Sequence, residues 1–428
     1  MLNVSPKINF FFTFAKKLNM KKVLLLLIIA LLLKNTTNAQ VWTPQVSGTT
    51  NNLFSISFPT NNLVGHICGS EGTILKTVNG GTNWVLKNSG TNFDLYEIHF
   101  FDANKGFAVG TGNTLLLTSN GGESWSRIDL AIADDSYYYR NMWFLDDNIG
   151  FITGGRSGNN GVVLRTLNGG ITWEELNVNS SSAVYGIYFT SPDTGYFSNF
   201  NGEISKTKDG GATWQKLSSG TSNSLISLYF TNETTGYACG FEGTILKTTD
   251  QGATWDLITN KANEFYTDII FLDEFVGFVI GGDANSSSLL KTTDKGETWI
   301  EENTSTSRLF GGEILSYAAA YSCGFNGSIL KITDIPASSE EIKAVINNVS
   351  VFPNPTKDKL TIDLGPNVNS GKLIKVLNNL GMVVESQTVN NPQSVIDLST
   401  LGSSGIYYVI ISDVNNLKNS EIRKVILL

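Results

Sequence analysis

The sequence predicts an all-β chain: a seven-bladed β-propeller closed by its own N-terminal strand, followed by an immunoglobulin-like β-sandwich. Three observations carry this. A turn motif ending in Trp recurs six times at a spacing near 42 residues, the apolar segments between copies are short and bounded by Gly, Asn or Asp, and Gly is abundant at 42 residues while charged residues make up only 16%. A period of 40–50 residues with four short strands is the length of one propeller blade. Many strands joined by tight turns need glycine and little charge.

Residues 1–39 read as a leader. Met20-Lys21-Lys22 precedes the apolar run VLLLLIIALLL at 23–33, the length of a signal-peptide core and too short to span a bilayer. Thr37 and Ala39 occupy the small-residue positions of a cleavage site, which predicts Gln40 as the mature N-terminus and Met20 as the true start. No membrane span is expected in the mature protein.

The propeller is expected over 40–334. Its repeated turns are TVNGGTNW (77–84), TSNGGESW (118–125), TLNGGITW (166–173), TKDGGATW (207–214), TTDQGATW (248–255) and TTDKGETW (292–299). In each, an acceptor side chain (Asn79, Asn120, Asn168, Asp209, Asp250, Asp294) is placed to take backbone N–H groups and hold the reversal. Glycine supplies a backbone conformation closed to other residues, and the Trp (Trp84, Trp125, Trp173, Trp214, Trp255, Trp299) opens the outer strand and packs inward. A seventh unit, CGFNGSILKITDIP at 323–336, aligns with 239–252 but has no Trp after it. Trp42 stands 42 residues before Trp84. The strand VWTPQ at 41–45 is therefore expected to complete the last blade and remove an open sheet edge.

Cys68, Cys239 and Cys323 sit at the same place in three repeats. Equivalent positions on different blades are too far apart for a disulfide, so these are expected as small buried thiols. A polar connector at 335–348 then leads to period-2 runs over 349–428, separated by NLG and GSSG turns, which predict the small antiparallel sandwich.

The six intact turns resemble the Asp-box, or BNR, repeat. The wider pattern, as in GYACGFEGTILKTTDQGATW at 236–255, is similar to the photosystem II stability and assembly factor family, and also to sialidases, xyloglucanases and the sortilin ectodomain. That resemblance implies that the turns lie on the face opposite most ligand sites. Residues 349–428 resemble the type A sorting domain of the type IX, or Por, secretion system of Bacteroidetes. Phe352, Pro353, Asn354 and Pro355 match its (Y/F)PNP opening, Asp397 and Leu398 its DLS segment, Gly405, Ile406 and Tyr407 its GIY strand, and Lys424 its basic end. The resemblance implies secretion machinery and a surface sortase as partners, and a destination in the medium or on the outer-membrane surface by way of the periplasm.

For function, charge excludes one class at once. Removing the leader's six Lys takes the net charge from −8 to −14, and the last 80 residues carry seven positive and six negative groups, so the middle of the chain, residues 40–348, holds about −15. Such a surface repels phosphate backbones, and nucleic acid is not expected as a partner. The blade face carrying D-to-A and B-to-C loops is the default ligand surface. Asp135, Tyr137, Tyr138, Arg140 and Arg156 cluster in its longer loops, where aromatic and hydrogen-bonding groups suit a glycan or protein ligand. A glycoside hydrolase would need facing carboxylates, for which Glu97, Asp268 and Glu313 are the candidates. A sialidase would need three converging Arg and a preceding RIP motif; of Arg127, Arg140, Arg156, Arg165 and Arg308, two fall on outer strands, and the motif is missing. His66 and His99 lack ligand spacing and read as packed sheet residues, and no nucleotide fingerprint occurs, so no metal or cofactor is expected. The sequence thus favours an exported binding or adhesion module over an enzyme.

Overall fold

The computed structural model describes residues 42–333 except 60–62, 131–135, 159, 260–262, 284, 303, 305 and 318, then residue 335, and in the C-terminal region 350–353, 356–364, 372–377, 383–389, 391, 393–399, 405–413 and 416–427. The leader, connector residues 336–348, Val349, Asp135, Asn354 and Pro355 lie outside this set. Among the described residues there is no α-helix, only strands and two short 3₁₀ turns.

Four-stranded antiparallel sheets repeat along the chain in the manner of a β-propeller. With strands named A to D in order, sheets 1 to 7 begin with strands A at Leu53–Ser57, Leu95–Phe100, Tyr138–Phe144, Val184–Phe189, Leu225–Phe230, Phe265–Phe271 and Leu309–Ser316. Strands B and C are buried on both faces, as in Gly236–Gly240 and Ile245–Thr248, whereas strands D, such as Gln215–Leu217, are largely exposed. This gradient explains why the inner strands read as continuous apolar runs and the outer ones as polar. The seventh sheet takes its fourth strand from the start of the chain: Thr43–Gln45 pairs antiparallel with the strand Ile329–Thr333, with Thr43 opposite Lys331 and Gln45 opposite Ile329. Trp42 is buried beside Phe278, ring centroids 5.5 Å apart, in a cluster that includes Leu330.

Adjacent sheets interlock through one repeated contact. The second residue of strand B stacks on an aromatic at the end of the next strand A: His66 on Phe100, Phe151 on Phe189, Tyr196 on Phe230 and Tyr237 on Phe271, at 3.7–4.4 Å. Its polar tip, where present, donates to the next sheet's Trp turn, as from Tyr196 Oη to the Gln251 carbonyl at 2.7 Å and from Tyr237 Oη to that of Lys295 at 2.7 Å. The same contact joins sheet 7 to sheet 1, where Tyr321 stacks on Phe58 at 4.4 Å and its hydroxyl donates to the Gly80 carbonyl at 3.0 Å. His66 and His99 are thus ring-stacked sheet residues; burial pushes both imidazoles down to about 4. The three cysteines are free and buried, and burial raises their thiol pKa values.

In the C-terminal region, the strands Ser350–Phe352, Lys359–Asp363 and Gln393–Asp397 form one sheet, and Lys372–Leu377, Val383–Val389, Gly405–Asp413 and Asn416–Leu427 form another. Leu360, Ile362 and Ile396 of the first share a core with Ile374, Val409 and Val425 of the second.

Candidate ligand-binding face

Every strand A carries a register shift near its start, and in each the extra residue occupies the same place: Phe54, Tyr96, Arg140, Ile226, Thr267 and Phe310 in sheets 1, 2, 3, 5, 6 and 7, with Tyr185 and Gly186 in sheet 4. A bulge re-aims a side chain that regular pleating would direct into the sheet. In six of the seven sheets a glycine late in strand B permits it, while in the fourth that place is held by Asn199. A Cβ on Gly110 would lie 1.8 Å from the Asp94 carbonyl oxygen, and one on Gly240 1.8 Å from that of Ser224. Repeats ending strand B in VG, CG or GG therefore bring strand A close enough to bulge.

The bulge residues line a cavity of about 640 Å³ framed by the strands A. Around it, ring contacts run without a break. Phe54 meets Tyr96 at 5.0 Å, and the Arg140 guanidinium lies 4.0 Å from the Tyr96 ring and 5.5 Å from that of Tyr185. Tyr185 leads through Phe200 and Phe241 to Phe265 at 5.8, 5.6 and 4.8 Å. Arg308 stands between Phe265 and Phe325 at 4.7 and 5.7 Å, and Phe325 returns through Phe310 to Phe54 at 4.8 and 5.1 Å. Eight aromatic rings and two arginines thus form a collar around a concave site that mixes apolar walls with polar groups such as Asn52, Asn141 and Thr267.

Below the collar lie the carboxylates singled out in the sequence. Ser55 Oγ donates to Glu97 Oε1 at 2.7 Å; Asp268 accepts from Ser227 Oγ at 3.0 Å and from the Gly312 amide at 3.2 Å; Glu313 Oε2 accepts from the Phe58 amide at 2.7 Å. Each bond crosses from one sheet to the next, so each acid stitches neighbouring strands A. Enclosure by protein pushes Glu97 and Glu313 up to about 8 and Asp268 up to about 6, and mutual repulsion among the three adds to Glu97 and Glu313. Glu97 and Asp268 reach the cavity, and Glu313 serves the seam between sheets 7 and 1. Glu97 and Glu313 therefore hold a proton at neutral pH, while Asp268 is mostly ionised there.

The candidate patch of the sequence analysis divides in two, because strand alternation sends neighbouring residues to opposite faces. Arg140 lines the cavity, and the Tyr138 ring lies beside it, 5.2 Å from the guanidinium. Tyr137 is buried on the other side and bonds Glu175 Oε2 at 3.1 Å, while Arg156 Nη1 donates to Tyr137 Oη at 2.9 Å and Glu175 Oε1 at 3.2 Å. Sequence reading missed most of the collar, Phe54, Phe310 and Phe325 included, because phenylalanine in a strand reads as core. The terminal glycine of strand B was the signal that could have located it.

The Trp turns have a hub that the motif contained but sequence reading gave no role. Thr248 Oγ1 accepts from the Gly252 amide at 2.9 Å and the Asp250 amide at 3.3 Å while donating to Asp250 Oδ1 at 2.8 Å; Asp250 Oδ1 in turn accepts from the Thr254 amide at 2.9 Å. Thr77, Thr118, Thr166, Thr207 and Thr292 repeat this arrangement around Asn79, Asn120, Asn168, Asp209 and Asp294. Trp84 and Trp255 are buried, and Trp125, Trp173, Trp214 and Trp299 partly so. The second turn glycine is required twice over at Gly170, where φ is +83° and a Cβ would lie 2.4 Å from the Phe107 ring of the preceding sheet.

In the sorting region, Phe352 is exposed and pairs with Thr361. Gly405, Tyr407 and Lys424 lie on the two last strands, with Tyr407 buried and paired to Val425 and Lys424 paired to Tyr408. Asp397 Oδ1 accepts from the Ser399 amide at 2.9 Å, and Leu398 is buried beside it.

Residues 87–182 and 171–262 match the family model described as photosynthesis system II assembly factor YCF48, and residues 350–427 match the secretion system C-terminal sorting domain. No curated protein sequence matches the chain. Among solved structures, YCF48 from Cyanidioschyzon merolae is 18% identical with a TM-score of 0.56, covering 68% of this chain and 98% of its own. YCF48 bound to D1 peptide is 20% identical with a TM-score of 0.57 over 68% and 94%. The extracellular domain of BT4673 from B. thetaiotaomicron is 12% identical with a TM-score of 0.53 over 91% of this chain and 59% of that one. At these identities the structures establish the fold alone. The chain is therefore an all-β protein whose repeats resemble the YCF48 assembly factors and whose C-terminus carries a sorting domain of the type IX secretion system.

Proposed function

We propose that the chain is a seven-bladed propeller, closed by its N-terminal strand and followed by a β-sandwich, that serves as a binding or adhesion module on the cell surface or in the medium. The sorting domain implies export by the type IX machinery, and a surface sortase would remove or exchange it there. The ligand, a glycan or a protein, meets the mouth of the central cavity. The observation that carries this reading is the unbroken collar of eight aromatic rings and two arginines around that mouth. Buried aromatics and Arg dominate interface energetics, and grooves of this size accept a side chain or a sugar. A structure of YCF48 bound to D1 peptide supports a peptide-accepting surface on this fold. Binding is favoured over hydrolysis because Glu97, Asp268 and Glu313 are each engaged in holding two sheets together.

The test is a glycan and peptide array probed with the exported chain, run beside release assays on complex polysaccharides. Retention without product supports binding. Product formation that disappears in Glu97→Gln or Asp268→Asn would establish a glycoside hydrolase instead.

A further inference from the structure

The collar's two arginines differ in how the protein satisfies them. Arg308 Nε donates to the Asp283 carbonyl at 3.0 Å, and its charge lies near Asp283 and Glu264. Arg165 and Arg156, elsewhere on the propeller, pair with Glu174 and Glu175 at 2.6 and 3.2 Å. Arg140 has no carboxylate partner among the described residues, and its Nε is buried without a hydrogen bond. Instead its guanidinium is held among the rings of Tyr96, Tyr138 and Tyr185 at 4.0, 5.2 and 5.5 Å. Ring faces fix the plane of a guanidinium but leave its N–H edge to donate. The Tyr96 phenol, raised further by burial although the Arg140 charge and hydrogen bond oppose the shift, is protonated at neutral pH and its O–H can donate beside the guanidinium.

A planar, always-charged fork beside a phenolic hydroxyl matches a carboxylate. What surrounds it narrows the rest of the ligand. Phe54, Phe310 and Ile226 offer apolar walls at the mouth, and Ile56, Leu228 and Ile269 continue them inward. Asp268, raised by burial only to about 6 and so mostly ionised at neutral pH, also lines the cavity and repels a second negative charge. The net charge of about −15 over residues 40–348 disfavours a polyanion. A single carboxylate on an apolar body satisfies all three constraints, whereas a polyuronate satisfies only the first.

We propose that Arg140, with the hydroxyl of Tyr96, binds the carboxylate of an apolar monocarboxylic ligand, whose body enters the cavity between Phe54, Phe310 and Ile226. The same chemistry is presented by a free arylalkyl acid and by the C-terminal residue of a peptide ending in an apolar side chain. This assignment rests on the binding reading above and names the ligand class for that site.

The experiment titrates the full exported chain by calorimetry with 3-phenylpropionate, 3-phenylpropionamide, and the peptide acetyl-Ala-Ala-Ala-Phe with a free or an amidated C-terminus. Each acid should bind about tenfold or more tightly than its amide, the loss expected when a charged hydrogen-bond partner is removed. Whichever acid binds better identifies the source. Arg140→Gln should erase the acid preference, and Arg165→Gln, away from the cavity, should leave it within about threefold. The wild-type acid-to-amide ratio stands as a test even where Arg140→Gln fails to fold. Equal affinity of acid and amide, or a preference that survives in folded Arg140→Gln, overturns the assignment. A chain that binds neither probe but retains a neutral glycan or the amidated peptide loses the carboxylate site and keeps its binding role; one that binds nothing on the array loses both.

Discussion

Replacing Glu97 by Gln keeps the side-chain acceptor for Ser55 Oγ but removes a negative charge from the interior. Glu97 is pushed from 4.5 to about 8 by burial first, with repulsion from Asp268 adding to it. Between those two values the folded protein holds a proton that the unfolded chain releases. Stability from this group is therefore full below pH 4.5 and is lost as pH rises through about 8. At about 1.4 kcal/mol per pH unit the whole gap is worth about 5 kcal/mol as an upper bound. The carboxylate edge reaches the cavity, which lowers the effective cost, so about 2 kcal/mol is the working figure. His66 and His99, whose imidazoles are held down to about 4, act oppositely, but their effect is complete by pH 7.5. Urea denaturation at pH 5, 7 and 9 separates the two. Glu97→Gln should match the wild type at pH 5 within about 0.5 kcal/mol and exceed it by about 2 kcal/mol at pH 9. A variant less stable at every pH, or a difference that does not grow between pH 7 and 9, refutes the assignment of a charge-bearing strain to this site.

Thr248→Val strips the acceptor from the Gly252 and Asp250 amides and should cost about 2 kcal/mol in denaturant midpoints, more than Asp250→Asn, which keeps an acceptor. Trp42→Ala empties a buried site against Phe278 and should cost about 3–5 kcal/mol by the same measurement, as much as a Trp inside the repeats, if the first strand belongs to the seventh sheet. Tyr321→Phe removes only the hydroxyl that reaches the Gly80 carbonyl and should lower stability by about 1 kcal/mol, with the ring stack on Phe58 retained in near-ultraviolet dichroism.

The repeat was readable because its turn is local: Thr, Asx, Gly and Trp sit within eight residues, and their hydrogen bonds close inside that span. The pairing of Thr43–Gln45 with Ile329–Thr333 was readable for a different reason, a missing Trp at one end and a spare one at the other. The collar was not. Phe54, Tyr185 and Phe325 meet only when distant strands are laid side by side, and nothing in a single strand distinguishes a phenylalanine on a bulge from one in the core. Tyr137 and Tyr138 show the same limit at one-residue scale. They are neighbours of identical composition, yet one bonds Glu175 and the other lays its ring beside the Arg140 guanidinium. The three carboxylates were found as candidates but given chemistry, whereas the bonds from Ser55, Ser227 and the Phe58 amide, 42, 41 and 255 residues away in sequence, tie them to sheet packing.

The most direct measurement is hydrogen exchange of the exported chain with and without the first glycan or peptide that it retains from the arrays. Protection is predicted at the starts of the strands A, around residues 53–56, 95–98, 138–142, 225–228 and 309–312. Protection confined to the Trp turns around residues 77–84, 207–214 or 248–255, with the collar unchanged, would contradict the placement of the ligand at the cavity mouth.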